Sequence, residues 1–151
     1  MQCLHFKIMY NEGCNFYYPY IVEDEKIYDI ISDQRDLKNL EEDIKAIKFV
    51  TLSKQQEQER IQEDEDQYAF DVNNYECLTY EEKKRVPYEW ASEVVFCDSY
   101  KDVTELRLLN EWEQVQTYPT PFVIKILEEW YDFLKEFEEK GVDTKERRVS
   151  L

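Results

Sequence analysis

Glycine is almost missing from this sequence, which contains only Gly13 and Gly141. Dinucleotide-binding and Walker-type phosphate loops need several closely spaced glycines, because the backbone must approach the phosphates closely. The elbow that carries a serine nucleophile in α/β-hydrolases also needs a glycine on each side. The spacing of the two glycines therefore excludes all three kinds of site.

Histidine and paired cysteines are also scarce. His5 is the one histidine, and the four cysteines, Cys3, Cys14, Cys77 and Cys97, form no C-x-x-C pair. Zinc-ribbon and thioredoxin signatures are therefore absent. Cys3 and His5 lie on one predicted strand, about 7 Å apart, which is too far for the hydrogen bond between a cysteine nucleophile and its base.

We therefore predict no catalytic residue and no cofactor. The cysteines are expected to be reduced, as small buried hydrophobes in a reducing compartment. A bridge between Cys3 and Cys14 across a hairpin is the geometrically possible alternative.

Carboxylates are plentiful but match no metal motif. The nearest candidate is segment 63–74, EDEDQYAFDVNN. An EF-hand loop that began at Asp64 would place Tyr68 and Ala69 where an oxygen ligand and a glycine are needed. We predict no metal site, and a small enzyme that uses carboxylates or a metal is kept as an alternative.

Long apolar runs are missing too. No segment approaches the ~20 apolar residues of a membrane span. The N-terminus has no basic stretch followed by the apolar run of a signal peptide. We expect no membrane association and a cytoplasmic location.

What the sequence does contain is acidic charge. The formal net charge is −16, from 35 Asp and Glu against 19 Lys and Arg. Segment 54–82 contributes ten acidic and two basic residues, half of this excess. Such a charge disfavours direct nucleic-acid binding, which needs a basic face, and favours a basic protein partner.

Aromatic residues are abundant, with 12 Tyr, 8 Phe and 3 Trp. Disordered acidic chains are poor in aromatics, so this composition predicts a folded core under a charged surface. The length of 151 residues suits one domain. We place that domain at 1–142, with a solvated acidic segment at about 54–67 and a frayed polar tail at 143–151.

The N-terminal residues predict a β-hairpin. Segment 3–10 alternates, with Leu4, Phe6, Ile8 and Tyr10 on one face. Turn residues at 11–15 lead into a second strand at 16–22. Pro19 cannot donate to a ladder, so this second strand is expected at a sheet edge or at a bulge.

The clearest helix is the last one. Thr120 is the predicted cap, Pro121 the first helical residue, and Gly141 follows the end of the helix at about Lys140. Its apolar stripe comprises Phe122, Ile126, Trp130, Phe133, Leu134 and Phe137.

The remaining segments are assigned from their periodicity and flanking residues. Ser32 and Asp33 are predicted to cap a helix that carries Leu37, Leu40, Ile44 and Ile47. Further strands are predicted at 27–31, 48–53, 67–72 and 93–98, and further helices at 78–86 and 100–115. The fold class predicted is α+β: a single-domain antiparallel sheet that starts with the hairpin and packs with helices, including the long C-terminal one.

The stretch FYYPYIVEDE, residues 16–25, is the candidate binding region. Period-2 alternation predicts Phe16, Tyr18, Tyr20 and Val22 as the core face, leaving Tyr17, Pro19 and Ile21 outside. Tyrosine gives large contact area at interfaces, and carboxylates steer a basic partner. The predicted partner-binding residues are Tyr17, Ile21, Glu23, Asp24, Glu25, Glu63, Asp64, Glu65 and Asp66.

These features favour a non-catalytic acidic binding protein. The first hypothesis is an immunity or antitoxin-type inhibitor that neutralises a basic toxin, such as a nuclease, by occluding its positively charged site. The alternative is a phage or mobile-element DNA mimic that inhibits a host nucleic-acid-binding defence protein. The first class would block one partner, whereas a mimic would compete with DNA for several.

Overall fold

The computed structural model describes residues 3–51, 87–90, 95–108 and 111–151. Over these ranges the chain has the predicted α+β class, with an N-terminal hairpin and a long C-terminal helix. The elements are β1 (Cys3–Asn11), β2 (Phe16–Ile21), α1 (Lys26–Asp33), α2 (Leu37–Thr51), β3 (Tyr88–Trp90), β4 (Val95–Ser99), β5 (Val103–Leu108), β6 (Glu111–Pro119), α3 (Thr120–Lys140), a 3₁₀ turn (Gly141–Asp143) and β7 (Arg147–Ser150). The described strands form two antiparallel sheets instead of one, in the strand orders β2–β1–β7 and β3–β4–β5–β6.

The chain groups into two compact units. Residues 1–41 and 125–151 form the first, and residues 42–124 form the second. The first unit contains the β2–β1–β7 sheet, and the second contains the β3–β4–β5–β6 sheet. The single domain predicted for 1–142 stays a prediction.

The core of the first unit is built around Trp130 of α3. Its indole is fully buried, and the ring of Phe6 meets it edge-on at 5.4 Å. The indole Nε1–H donates to the carbonyl of Gln34 at 2.9 Å, so burial leaves no polar atom of the side chain unsatisfied. Removing a side chain buried this deeply costs about 3–5 kcal/mol.

Helix α3 confirms its predicted boundaries and stripe. It begins at Thr120 and ends at Lys140, and Gly141 follows with φ of 58°, a left-handed conformation that favours glycine. Of the predicted stripe, Phe122 and Phe137 are half-buried. The other four members, Ile126, Trp130, Phe133 and Leu134, are buried.

The chain end differs from the predicted frayed tail. Arg147–Ser150 forms β7 and pairs antiparallel with β1. Val149 lies opposite Leu4, and both side chains are buried. The guanidinium of Arg147 lies 3.1 Å from the Glu136 carboxylate. One buried valine and one ion-paired arginine therefore order a segment whose composition is otherwise polar.

The predicted strand at 27–31 is wrong, because these residues belong to helix α1. Ile27, Tyr28, Ile30 and Ile31 are all buried. Their spacing of one, two and one residue covers one side of a short helix, which resembles a buried strand when the run is only five residues long.

Helix α2 is present, but both of its predicted ends are wrong. Its N-cap is Asp36 rather than Ser32 or Asp33: the Asn39 N–H donates to Asp36 Oδ1 at 3.0 Å. The strand predicted at 48–53 is helical as far as Thr51, where the described range ends. Phe49 and Val50 are buried, so this segment extends the apolar side of the helix.

The predicted helix at 100–115 is also wrong. Residues 103–108 form β5, and residues 111–119 form β6. Thr104 and Leu106 are buried between more exposed neighbours, which is the period of a strand. The strand predicted at 93–98 is confirmed by β4. Predictions for 54–67, 67–72 and 78–86 lie outside the described residues.

Candidate functional site

The hairpin places part of the predicted binding region on the surface. Strand β2 lies at the edge of its sheet, as Pro19 predicts. The Tyr17 side chain is 50% exposed, and its ring centroid lies 4.9 Å from that of Tyr10 on β1. Phe16 is 47% exposed beside them. The hairpin end therefore presents a small aromatic surface.

The faces of β2 are the reverse of the prediction. Asn11 pairs with Phe16 across four turn residues, so even-numbered residues of β1 lie opposite odd-numbered residues of β2. Ile21 consequently lies opposite the buried Phe6 and is 6% exposed. Ile21 is a core residue, so the outward-facing position on which its assignment as a partner contact was based is wrong.

The opposite face of the β2–β1–β7 sheet, which was predicted to be core, is a surface. Phe16, Tyr18 and Tyr20 follow one another along it, with ring centroids 5.8 and 6.2 Å apart. The Arg35 guanidinium lies 5.3 Å from the Tyr18 ring centroid. Met9, opposite Tyr18, is 39% exposed. Counting the residues of the turn would have placed these rings correctly, because loop length sets which residues face each other.

The carboxylates after β2 divide into two groups. Glu23 is half-buried: its Oε2 accepts the His5 backbone N–H at 2.9 Å, and its Oε1 lies 3.4 Å from His5 Nδ1. Asp24 and Glu25 are exposed. The Glu25 carbonyl accepts the N–H of Tyr28 at the start of α1, which anchors the segment. Glu63, Asp64, Glu65 and Asp66 lie outside the described residues.

A groove of about 540 Å³ lies beside β2 in the first unit. Pro19, Leu37, Leu134 and Phe137 give it an apolar floor. Its charged rim consists of Arg35, Asp36, Lys38 and Glu138. The groove was not predicted, because it brings together three separate segments of the chain.

In the second unit, three carboxylates lie side by side across neighbouring strands. Glu89 pairs with Asp98, and Asp98 pairs with Glu105. Burial raises the pKa of Asp98, and the charges of Glu89 and Glu105 act in the same direction, against Arg107. Elsewhere in this unit, burial raises the pKa of the Cys97 thiol to about 12.

The described residues also test three predictions, which concern the burial of the cysteines, metal binding and membrane spans. Cys3, Cys14 and Cys97 are free, and the first two are exposed, which contradicts their expected burial. In the ranges that the structure covers, no three His, Cys, Asp or Glu residues are placed to hold a metal ion. None of the helices described is both long and apolar enough to cross a membrane.

Comparison of the chain with protein-family models, with curated proteins and with solved structures finds no match. The geometry of the site is therefore the basis for assigning a function. That geometry consists of an exposed aromatic hairpin end, a run of aromatic rings on one sheet face, and exposed carboxylates directly after β2.

Proposed function

We propose that this chain is a non-catalytic acidic binding protein of the immunity or antitoxin type. It would neutralise a basic toxin, such as a nuclease, by covering its positively charged site. The observation that carries the proposal is the hairpin itself. It presents the exposed Tyr10 and Tyr17 pair at one end, with Asp24 and Glu25 directly after its second strand.

Two physical effects support this reading of the hairpin. Tyrosine rings bury large area at low entropic cost, which makes them suitable anchors in a complex. Carboxylates on a chain of net charge −16 accelerate encounter with a basic partner. The exposed free thiols of Cys3 and Cys14 agree with a reducing cytoplasm.

The first experiment identifies the partner. Tagged protein is used to capture proteins from the source cell, and each captured basic protein is then expressed with and without this chain. The proposal expects one captured protein to be toxic alone and harmless when co-expressed. Capture that yields no basic protein neutralised by the chain would overturn the proposal.

The same material separates the proposal from DNA mimicry. An inhibitor of one toxin leaves unrelated DNA-binding proteins unaffected. A mimic would displace DNA from several of them at similar concentrations. If the chain displaces DNA from three or more unrelated proteins, its function is DNA mimicry instead.

The binding surface is tested with three alanine variants in a titration against the captured partner. Tyr17→Ala should weaken affinity about thirtyfold, the loss expected on removing an interface anchor, without lowering thermal stability. Ile21→Ala should instead lower the free energy of unfolding by about 2–5 kcal/mol, because it removes a core side chain.

Val142→Ala is the matched control, because Val142 is 55% exposed and lies outside the hairpin. It should change neither affinity nor stability. If Tyr17→Ala binds as well as the Val142 control, the hairpin end is not the interface.

A further inference from the structure

Strand β6 is the most accessible sheet edge among the described strands. Four of these strands lie at sheet edges: β2, β7, β3 and β6. Two of them, β3 and β7, have only three and four residues, and short strands are poor templates for pairing. Strand β6 has nine residues, Glu111–Pro119.

The backbone hydrogen bonds of β2 show why its outer edge is a poor template for pairing with a further strand. The Val22 N–H donates to the His5 carbonyl at 2.9 Å, so alternation directs the backbone groups of Tyr17, Pro19 and Ile21 outward. Pro19 has no N–H, so the outer edge of β2 lacks its central donor.

In β6 the proline, Pro119, is the last residue of the strand. The Thr120 N–H donates to the Asp102 carbonyl at 3.0 Å, and Tyr118 and Gln116 follow as the residues bonded to β5. Val115, Thr117 and Pro119 therefore direct their backbone groups outward. Pro119 removes only the last donor, and the N–H and C=O groups of Val115 and Thr117 face away from the sheet.

The side chains of β6 leave this edge accessible from both sides. Gln114, Val115, Gln116 and Thr117 are all exposed. On β5, Thr104 opposite Tyr118 and Leu106 opposite Gln116 are buried, so the core of the second unit stops short of β6. Residues 115–117 are therefore open to an added strand as far as the described residues show.

The acidic charge around β6 favours a basic segment as the added strand. Strand β6 carries Glu111 and Glu113 and no basic residue, and the described strands and turns of this sheet carry six acidic side chains and two basic ones. A second copy of the chain would bring the same negative charge to the contact, which opposes self-pairing. A basic extended segment meets complementary charge at Glu111 and Glu113, at the N-terminal end of β6.

We propose that β6 is a docking edge that binds an extended, lysine- or arginine-rich protein segment as an added antiparallel or parallel strand. Backbone bonds to Val115 and Thr117 supply the pairing, and Glu111 and Glu113 favour basic side chains. This surface lies in the second unit and does not depend on the hairpin or its proposed partner.

The test uses the whole protein and two synthetic peptides with blocked ends. One peptide of seven residues alternates lysine with valine, and the other carries glutamate at each lysine position. The lysine peptide should slow hydrogen exchange at the Val115 and Thr117 amides at least about tenfold, as pairing requires. The glutamate peptide should leave both amides unchanged.

Thr117→Pro removes one outward donor without removing a bond to β5, as Pro119 already does. It should weaken the lysine peptide about tenfold, while Thr117→Val, which retains the N–H, should not. Circular dichroism checks the fold of each variant, and the amide measurement on the unmodified protein stands if Thr117→Pro does not fold.

Three outcomes would overturn the inference. Unchanged Val115 and Thr117 amides at saturating lysine peptide would exclude strand addition at β6. Equal binding of the glutamate peptide would exclude charge selection. Protection of the same amides without peptide, together with dimer in sedimentation, would assign the edge to a second copy of the chain.

Discussion

At the scale of single residues, a buried chain of hydroxyl groups runs through the second unit. Trp90 Nε1 donates to Ser99 Oγ at 2.8 Å, and Thr120 Oγ1 donates to the Tyr100 carbonyl at 2.8 Å. Between them, Thr104 Oγ1 lies 2.9 Å from the Ser99 hydroxyl and 3.0 Å from the Thr120 hydroxyl. Ser99, Thr104 and Thr120 are fully buried.

The two groups at the ends of this hydrogen-bonded row of hydroxyls fix the direction of every hydrogen bond in it. An indole N–H can only donate, and a carbonyl can only accept. The proton of Thr120 goes to the carbonyl, so Thr104 must donate to Thr120 and Ser99 must donate to Thr104. Each hydroxyl then donates once and accepts once, which satisfies all three buried groups.

Replacing Thr104 by Val should interrupt this chain. The shape is nearly kept, but Ser99 loses its acceptor and Thr120 loses its donor, so the free energy of unfolding should fall by about 1–3 kcal/mol. Thr117→Val makes the same chemical change at an exposed site and should stay within about 0.5 kcal/mol of the unmodified protein. Urea unfolding measures both, and equal losses would contradict the directional chain.

At the scale of elements, the register between strands brings together carboxylates that lie on separate strands. Glu89, Asp98 and Glu105 lie on three consecutive strands and become neighbours across β3, β4 and β5. Burial raises the pKa of Asp98 first, and the two flanking carboxylates raise it further. The folded chain therefore holds a proton at Asp98 more tightly than the unfolded chain does.

This shift has a defined sign for stability. A raised folded-state pKa contributes stability that is present below the ordinary aspartate value of 3.8 and is lost as pH rises through the folded pKa. Asp98→Asn should therefore raise the free energy of unfolding at pH 7, with a gain that shrinks as the pH approaches 3.8. Urea titrations at several pH values measure this gain.

Asp24→Asn is the control, because Asp24 is an exposed aspartate after the hairpin. Its effect should be smaller at pH 7. A loss of stability in Asp98→Asn at neutral pH would mean that the attraction between Asp98 and Arg107 outweighs burial and repulsion.

At the scale of the whole molecule, the net charge of −16 opposes compaction. Ion pairs such as those of Arg147 with Glu129 and Glu136 offset only part of this repulsion. At 0.01 M ionic strength the screening length is about 30 Å, so repulsion acts across the protein, whereas at 0.15 M it is about 8 Å.

Sodium chloride should therefore raise the melting temperature between these two ionic strengths at pH 7. The same addition at pH 4.5, near the sequence pI of about 4.4, should have a smaller effect because less net charge remains. Calorimetry at both pH values measures the difference. A melting temperature that falls with salt at pH 7 would show that attractive pairs dominate.

Local sequence features by themselves determined the hairpin, the edge position of β2 and both ends of α3. In each case the physical cause acts within a few residues: alternation, a proline without an N–H in β2, a proline in the first turn of α3, and a glycine in a left-handed conformation. The composition likewise determined the acidic character of the chain.

Tertiary structure decided which face of each element is buried. Ile21 became core because a four-residue turn set its partner on β1, and Val149 ordered the chain end because β1 offered an edge with Leu4 opposite. Segment 27–31 became helical, and residues 100–115 became strands, because short apolar runs satisfy either period until packing selects one. The groove beside Pro19 exists only through contacts between distant segments, and the carboxylate row depends on the register of β3, β4 and β5, neither of which local periodicity encodes.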